Sequence, residues 1–330
     1  MGIQDSVLQI LSNEGHTCIS GEAIALELKV SRAAIWKAIQ KLQAEGYRIA
    51  AVSGKGYTLE YEGDPLSERG ILQALSERTR NQLTLSVLQS TESTNEDLKV
   101  LAAQGASAFT CIVANEQKSG KGRRGRAFSS PAGTGVYLSI LLKPACSLEE
   151  AGLITGAAAV AVARALSKFA QKQAAIKWVN DVYIGEKKVC GILTEASADL
   201  ESGGLHYAVL GIGINAYTPK DGFPAEIAAR AGSVFDEVRP NARNMLAAAI
   251  IEECISIFSQ ADLKAFVREY QDLSLMNNKR VRVFQANQEP RWAIASGIND
   301  DLSLQVRFDD GSEQALQTGE VSIVLSKEDV

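Results

Sequence analysis

Between two apolar runs, residues 109–114 and 135–142, the chain carries Gly120-Lys121-Gly122-Arg123-Arg124-Gly125-Arg126. The spacing Gly120-x-Gly122-x-x-Gly125 formally matches a dinucleotide fingerprint. That fingerprint needs a helix opening directly after the loop, because the helix N-terminus receives the pyrophosphate. Here Phe128-Ser129-Ser130-Pro131-Ala132-Gly133 instead carries the loop on into another strand-like run. The variable positions are also long and cationic, where a Rossmann turn requires close backbone approach. A Walker loop fails as well, since no Gly-Lys-Ser/Thr follows a spaced glycine. The remaining reading is a pliant loop with Lys118 just upstream, suited to an anion with several oxygens, such as a triphosphate or an acyl phosphate. The whole chain is acidic, with a net charge of -5. A local basic cluster on such a chain points to a site rather than to general polyanion affinity.

From the charge run alone, a solvated basic loop explains the sequence equally well. Two further features favour a site. Lys177-Trp178-Val179-Asn180-Asp181 is followed by a hairpin signal at Gly185-Glu186 and by a return run containing Lys188. This gathers opposite charges at one sheet edge, although a single lysine there is more simply a solvated one. Leu210-Gly211-Ile212-Gly213-Ile214-Asn215 places glycines inside an apolar strand, which predicts close approach of a ligand or another backbone. Asn215 would then be a polar reader at the mouth of the site.

A length of 330 residues predicts two or three domains. A hydrophobic fraction of 46% and a charged fraction of 22% fit an ordinary soluble globular protein. No run reaches the length of about 20 apolar residues that a membrane span needs. The nearest, 153–166, is short and contains Arg164. The N-terminus lacks the basic-then-apolar order of a signal peptide. Five scattered cysteines (Cys18, Cys111, Cys146, Cys190, Cys254) without a CxxC pair fit reduced thiols in a cytoplasm. With only His16 and His206 available, histidine triads and multi-histidine metal sites are close to excluded.

The organisation reads as three parts, 1–62, 66–275 and 276–330, in an α+β multidomain chain. In the first part, Val7, Leu8, Ile10 and Leu11 form one helical face. Ser20 caps a second short helix, and Ser31 caps a third over 32–44, with Ile35, Ile39 and Leu42 on one side. Short strands at 47–52 and 56–60 follow, joined at Ser53-Gly54-Lys55-Gly56. This is the outline of a winged helix-turn-helix. Tyr61-Glu62-Gly63-Asp64-Pro65 reads as a linker. The second part mixes strands at 83–88, 109–114, 135–142, 175–178, 188–195 and 207–214 with helices at 149–170, 243–259 and 263–270, which predicts a mixed sheet. The third part alternates at 280–284, 292–298, 302–308 and 321–325, like a small all-β module with turns at 299–301 and 309–311.

These pieces together resemble the biotin protein ligases, in the bifunctional form that also represses biotin genes. The resemblance is carried by Ser93-Thr94-Asn95, Gln117, the 120–126 loop, Lys177-Trp178-Val179-Asn180-Asp181, Lys188-Val189-Cys190-Gly191-Ile192-Leu193 and Gly211-Ile212-Gly213-Ile214-Asn215. At the N-terminus it is carried by Ser31-Arg32-Ala33-Ala34-Ile35-Trp36-Lys37 and the wing Gly54-Lys55-Gly56-Tyr57. It implies a central sheet of the class II synthetase/biotin–lipoate ligase type and a small SH3-like C-terminal barrel. It also implies ATP, biotin and Mg²⁺ as ligands, with biotinyl-5′-AMP as the intermediate. The implied partners are the biotin carboxyl carrier protein of acetyl-CoA carboxylase, operator DNA, and a second copy of the chain in a ligand-promoted homodimer, with no membrane.

The same resemblance implies roles for individual residues. Lys188 becomes the main electrostatic catalyst, with Arg123 and Asp181 also catalytic. Ser93, Thr94, Asn95, Gln117, Lys121, Gly122, Arg123, Lys188 and Gly191 would hold biotin, whose neutral ureido ring suits hydroxyls and amides. Arg123, Arg124, Arg126, Lys177, Asn180 and Asn215 would hold the nucleotide. Asp181 would hold Mg²⁺, or else orient Lys188 or the incoming amine. Ser93-Thr94 also reads as a plain helix cap, and Trp178 as a packing residue. Lys121 stands where many relatives have arginine, and Phe128 where some have tryptophan. No aromatic in 217–232 stands out for stacking on adenine.

Between residues 29 and 57, Lys29, Arg32, Lys37, Lys41, Arg48 and Lys55 stand against Glu45 alone. Ser31, Arg32, Trp36 and Lys37 sit where base edges would be met, and Lys55 on the wing would touch phosphate. Two alternatives stay open. One is a ligand-sensing transcription factor without ligase activity, and the other is a ligase for lipoate or another small acid.

Overall fold

The structure is a computed structural model, and it describes residues 2–13, 17–44, 46–59, 64–144, 150–198, 204–260, 262–285, 289–317 and 321–325. The elements run α1 Ile3–Asn13, α2 Gly21–Glu27, α3 Arg32–Ala44, β1 Ile49–Val52, β2 Gly56–Leu59, α4 Glu68–Ala74, α5 Glu77–Arg80, β3 Thr84–Leu88, α6 Thr94–Ala103, β4 Thr110–Ala114 and β5 Gly135–Leu142. They continue with α7 Ala151–Ala165, β6 Ala174–Lys177, β7 Asp181–Ile184, β8 Lys187–Ala198, β9 Leu205–Asn215, α8 Ala225–Ala228, α9 Ala242–Phe258 and α10 Val267–Asp272. The last strands are β10 Lys279–Gln285, β11 Arg291–Ile298, β12 Leu304–Phe308, β13 Glu313–Leu316 and β14 Val321–Leu325.

The head forms as its sequence predicts. Ser20 Oγ accepts from Ala23 N at 3.0 Å, and Ser31 Oγ from Ala34 N at 3.2 Å, so both helices start on side-chain caps. Val7, Leu11, Ile24, Ile35, Ile39, Leu42 and Leu59 close a core separate from the rest of the molecule. β1 and β2 pair antiparallel around the wing turn. Glu60 and the linker residues Tyr61, Glu62 and Gly63 lie outside the described residues, as do His16, Glu45 and Cys146. Asp64 and Pro65 depart from the linker expectation: Asp64 is 5% exposed and firmly bonded, because α9 brings a buried arginine beneath it.

The central sheet has seven strands in the order β3-β4-β5-β9-β8-β7-β6. Only β3 and β4 pair in parallel; the other neighbours are antiparallel. Alternate residues of β5 and β9 divide between two faces. Val136, Leu138, Ile140, Leu210, Ile212 and Ile214 pack beneath α7 and α9. On the opposite face α6 covers only part of the sheet, with Leu98, Ile112, Leu141 and Val209 in a smaller cluster. Ser139, Gly191, Gly211 and Gly213 share that partly covered face, and there the cavity opens. α4, α5, β7, α8 and β13 are additional to the sequence reading, and the helix expected at 263–270 begins later, at Val267.

The helix from Ala151 to Ala170, whose last five residues form a π turn, is long and apolar enough to cross a membrane by length and composition. The difference from the expectation lies in the helix carrying on to Ala170 through Ser167 and Lys168, past the apolar run that ends at residue 166. Most of the helix lies buried within the fold, as in a core helix.

The C-terminal strands form a five-stranded antiparallel sheet in the order β13-β12-β11-β10-β14. Their apolar face joins the same core as the central sheet. Leu302 is fully buried, and Trp178 Nε1 donates to its carbonyl at 2.7 Å. Trp178 is thus a packing residue, as its sequence context predicts. Leu302→Ala should lower the stability seen in urea denaturation by about 2–5 kcal/mol, the cost of a core leucine and its cavity.

Candidate active site

A cavity of about 770 Å³ opens on the glycine-bearing face of the central sheet. Its polar floor comes from α6. Ser93 occupies the N-cap position of α6 but makes no side-chain cap bond, so the expected cap is positional only. Gln117 Oε1 accepts from Thr94 N at 3.0 Å and from Thr94 Oγ1 at 3.1 Å. Gln117 Nε2 donates to Ser130 Oγ at 3.0 Å. Ser139 Oγ lies 2.7 Å from Thr94 Oγ1 and 2.6 Å from Asn95 Oδ1. Asn95 Nδ2 donates to Glu195 Oε2 at 2.7 Å, and Lys99 Nζ to Glu195 Oε1 at 2.6 Å. Buried polar groups need such partners, and a fully bonded network fixes the orientation of each member.

Ser139 and Glu195 escaped the sequence reading. Ser139 left a signal: it is the lone aliphatic hydroxyl in the otherwise largely apolar strand GVYLSILL. The strand glycines also serve differently from the expectation. A side chain at Gly211 would collide with the amide of Asn95, and one at Gly213 with the ring of Phe128. The missing β-carbons therefore admit side chains of this chain, rather than a second backbone.

The opposite wall is cationic. Lys188 Nζ meets Asp181 Oδ1 at 2.6 Å. The pairing of β7 with β8 shifts between Val182 and Tyr183, so that Tyr183 faces Lys188 while Val182 faces Cys190. This bulge reverses the alternation. Cys190 and Ile192 point into the core, and without the extra residue Lys188 would follow them. With it, Lys188 Nζ lies toward the cavity beside Gly191. Lys188 N also donates to Arg230 O at 2.7 Å, so a cavity segment is anchored at the same residue.

Lys177 also lines this wall. Burial pulls its pKa below the usual lysine value, and the neighbouring charges of Lys188, Arg230 and Arg126 add to the shift against the opposing pull of Asp181. Burial likewise lowers Arg123, with Arg124 contributing. Arg123 Nη1 donates to Asn180 Oδ1 at 3.2 Å, and Asn180 Nδ2 to Ile192 O at 2.8 Å. Two half-buried cations held at reduced pKa near the carboxylate of Asp181 make a wall that an anionic ligand would stabilise.

The 120–126 loop folds over this wall. Gly122 N donates to Arg126 O at 2.6 Å, and a single 3₁₀ turn spans Arg123–Gly125. Arg124 has φ 58° and Gly125 φ 71°, both left-handed. Gly120 has no room for a β-carbon against Phe128 O. No α-helix opens after the loop, in keeping with the rejected dinucleotide reading. Arg124 and Arg126 are exposed at the cavity mouth. Lys121 turns toward Glu96 at 2.6 Å.

Every residue singled out in the sequence for catalysis, biotin or nucleotide lines this one cavity: Ser93, Thr94, Asn95, Gln117, Lys121, Gly122, Arg123, Arg124, Arg126, Lys177, Asn180, Asp181, Lys188, Gly191 and Asn215. Asn215 Nδ2 donates to Gly232 O at 2.9 Å. Contrary to the expectation that no aromatic in 217–232 stands out, Phe223 lines the cavity with Pro219 and Ile227. An isolated phenylalanine in an irregular segment gives no periodic signal. Asp181 is a single carboxylate already paired with Lys188. Among the described residues no group of three or more His, Cys, Asp or Glu is placed to hold a metal ion. This donor set does not fit a resident metal. The residues singled out for DNA stand elsewhere: Ser31, Arg32, Trp36 and Lys37 on the exposed side of α3, and Lys55 exposed on the wing.

Residues 80–215 match the Biotin/lipoate A/B protein ligase family, and residues 4–58 match an HTH domain. The chain is 37% identical over 227 residues to "Bifunctional ligase/repressor BirA" of Bacillus subtilis, covering 68% of each chain. It is 30% identical over 312 residues to the protein of the same name from Escherichia coli, covering 92% of each. Among solved structures it is similar to the biotin protein ligase of Aquifex aeolicus in complex with biotin and ATP. There the identity is 26% and the TM-score 0.59, over 74% of this chain and 99% of that one. The chain therefore belongs to the biotin/lipoate A/B protein ligase family, in the form that joins a ligase domain to an N-terminal HTH domain.

Proposed function

We propose that this protein is an ATP-dependent biotin protein ligase that doubles as a biotin-responsive transcriptional repressor. The observation that carries the ligase reading is the pairing, within one cavity, of a neutral hydroxyl–amide pocket with a wall of surplus cations. The first suits a ureido ring and the second a polyphosphate. The biotin carboxylate attacks the α-phosphorus of ATP, the bond to pyrophosphate breaks, and biotinyl-5′-AMP forms. The ε-amine of a carrier lysine then attacks the acyl carbon. The amide bond forms, AMP departs, and the amine gives up a proton.

In this reading Thr94, Asn95 and Gln117 bind the biotin head group, with Ser93 at the pocket edge and Gly191 leaving room beside Lys188. Lys188 stabilises charge where carboxylate meets phosphate, and its contact with Asp181 aims it there. Arg123 and Lys121 close over the adenylate at Gly122, while Arg124 and Arg126 order the loop. Lys177, Asn180 and Asn215 border the nucleotide, and Mg²⁺ enters as the counter-ion of ATP. The acceptor is the biotin carboxyl carrier protein of acetyl-CoA carboxylase. We divide the chain into a DNA-binding head (1–62), a ligase body (66–275) and a small β domain (276–330) of SH3-like barrel form. We place it in the cytoplasm, in keeping with free, buried Cys111, Cys190 and Cys254.

On the head, the exposed Arg32, Trp36, Lys37 and Lys55 face away from the core that Ile35 and Ile39 join. Operator binding follows from two such heads brought together in a homodimer. Ordering of the basic loop on an anion is the step that favours the dimer.

With ATP, Mg²⁺ and biotin, mass spectrometry should detect biotinyl-adenylate, and lipoate in place of biotin should give none. A lipoyl-adenylate would overturn the choice of acid, and no adenylate at all would favour a pure ligand sensor. Lys188→Ala should slow adenylate formation by about 10²–10³-fold, the usual cost of a charge-stabilising donor. An unchanged rate removes Lys188 from its role. Light scattering should show a monomer without ligand and a dimer with biotinyl-adenylate, and the same oligomer in both states would refute the coupling.

A further inference from the structure

The segment between head and ligase body ends in a buried polar joint that the reaction above does not use. Asp64 is 5% exposed, and Arg243, on the first turn of α9, is 3% exposed. Arg243 N donates to Asp64 Oδ2 at 2.6 Å, and the Tyr217 hydroxyl donates to the same oxygen at 2.7 Å. The Arg243 guanidinium donates to the Asp64 carbonyl through Nε at 2.9 Å and also through Nη2. Its Nη1 reaches Asn115 Oδ1 at 2.8 Å and Gly135 O at 3.2 Å. Asp64 Oδ1 is buried without a hydrogen-bond partner. A carboxylate desolvated in this way is a poor source of stability compared with apolar packing, but its geometry admits one arrangement of its partners.

Each partner is the root of a segment that lines the cavity. Tyr217 lies two residues past β9 and begins the stretch that brings Phe223 and Ile227 to the cavity and returns to Lys188. Asn115 and Gly135 bracket the stretch that holds Gln117 and the basic loop. On the other side, Asp64 leads through Pro65 into α4, which meets the head. Arg69 pairs with Asp5 of α1, Gln73 Nε2 donates to Asp5 Oδ1 at 3.0 Å, and Tyr47 Oη lies 3.2 Å from Ser67 Oγ. Asn244, next to Arg243, accepts from Ser67 N at 2.9 Å and donates to Pro65 O at 2.7 Å. A planar guanidinium fixes the relative geometry of three carbonyl acceptors in a way that a lysine cannot.

We propose that Asp64, Arg243 and Tyr217 are positioning residues that hold the roots of both cavity segments in register with the neck of the head. Ligand-driven ordering of those segments then reaches residues 64–75. The proposal rests on the ligase reading. It is tested by steady-state adenylate formation and by amide hydrogen exchange on the full chain. Asp64→Ala should raise KM for both ATP and biotin by about tenfold, the cost of hydrogen bonds to a charged group, with kcat within about twofold of wild type. Asp64→Asn, whose amide oxygen accepts the same two bonds, should restore both KM values. Tyr217→Phe should raise KM for ATP alone. In the wild type, biotin plus ATP should slow exchange across 64–75 as well as in the two cavity segments; in Asp64→Ala only the cavity segments should respond.

Unchanged KM values in Asp64→Ala overturn the proposal. So does a loss that Asn fails to restore, or a wild type whose 64–75 exchange ignores the ligands. If Asp64→Ala does not fold, Tyr217→Phe decides, since it removes a single hydroxyl; an unchanged KM for ATP then refutes the joint. A wild type that makes no adenylate refutes the ligase reading and the joint with it, whereas active wild type with indifferent variants refutes the joint alone.

Discussion

A lysine cannot stand unpaired in the apolar layer beneath a sheet, and that constraint organises the centre of this molecule. β8 carries Lys188 on the alternation that sends Cys190 and Ile192 into the core. One extra residue in the strand turns the lysine to the other face, where Asp181 meets it. The inward face is then free to be wholly apolar beneath α7 and α9. The outward face keeps the charge, and its glycines make it shallow enough to receive Phe128 and the amide of Asn95. Core and cavity are two sides of one strand pairing.

The charge arrangement follows from the same division. Asp181 is the half-buried carboxylate paired with Lys188 in the wall that also holds Lys177 and Arg123, while Glu186 is exposed at the cavity rim, and burial depresses Lys177 and Arg123. Across the cavity, the carboxylate of Glu195 is spent on Asn95 and Lys99. The polar floor is thereby neutral toward a ligand while the wall stays positive. A molecule with an uncharged hydrogen-bonding head and an anionic tail fits both.

Much of this was legible in the residues. Strand boundaries at 135–142 and 321–325, both helix caps of the head, and the mixed character of the sheet follow from local apolar periodicity and short polar caps. The loop at 120–126 announced itself through glycine and charge in an acidic chain. The remaining site residues were legible as a group through their resemblance, in order and spacing, to the motifs of a known ligase family, since Ser93-Thr94-Asn95 at a helix start and Gln117 in a loop carry no strong local signal of their own. What escaped depends on partners distant in sequence. Glu195 is one acidic residue at the far end of a long strand until α6 lies across it. Phe223 sits in an irregular stretch without a period. Asp64 read as linker because its anchors, Tyr217 and Arg243, come from more than 150 residues away. The bulge at Val189 has no composition signature, although a lysine in step with core positions is a hint that alternation must break.

The division of apolar surface also decides which parts of the chain are separable. The head closes a core of its own and meets the body through polar contacts such as Arg69 with Asp5, so its apolar packing does not draw on the ligase body. The C-terminal strands lack that independence. Leu302, Val281 and Val306 complete the apolar layer that begins under α7, and Trp178 reaches across to hold them. The short β module therefore completes the ligase core, and a change of side-chain volume on one side of that shared layer is felt on the other.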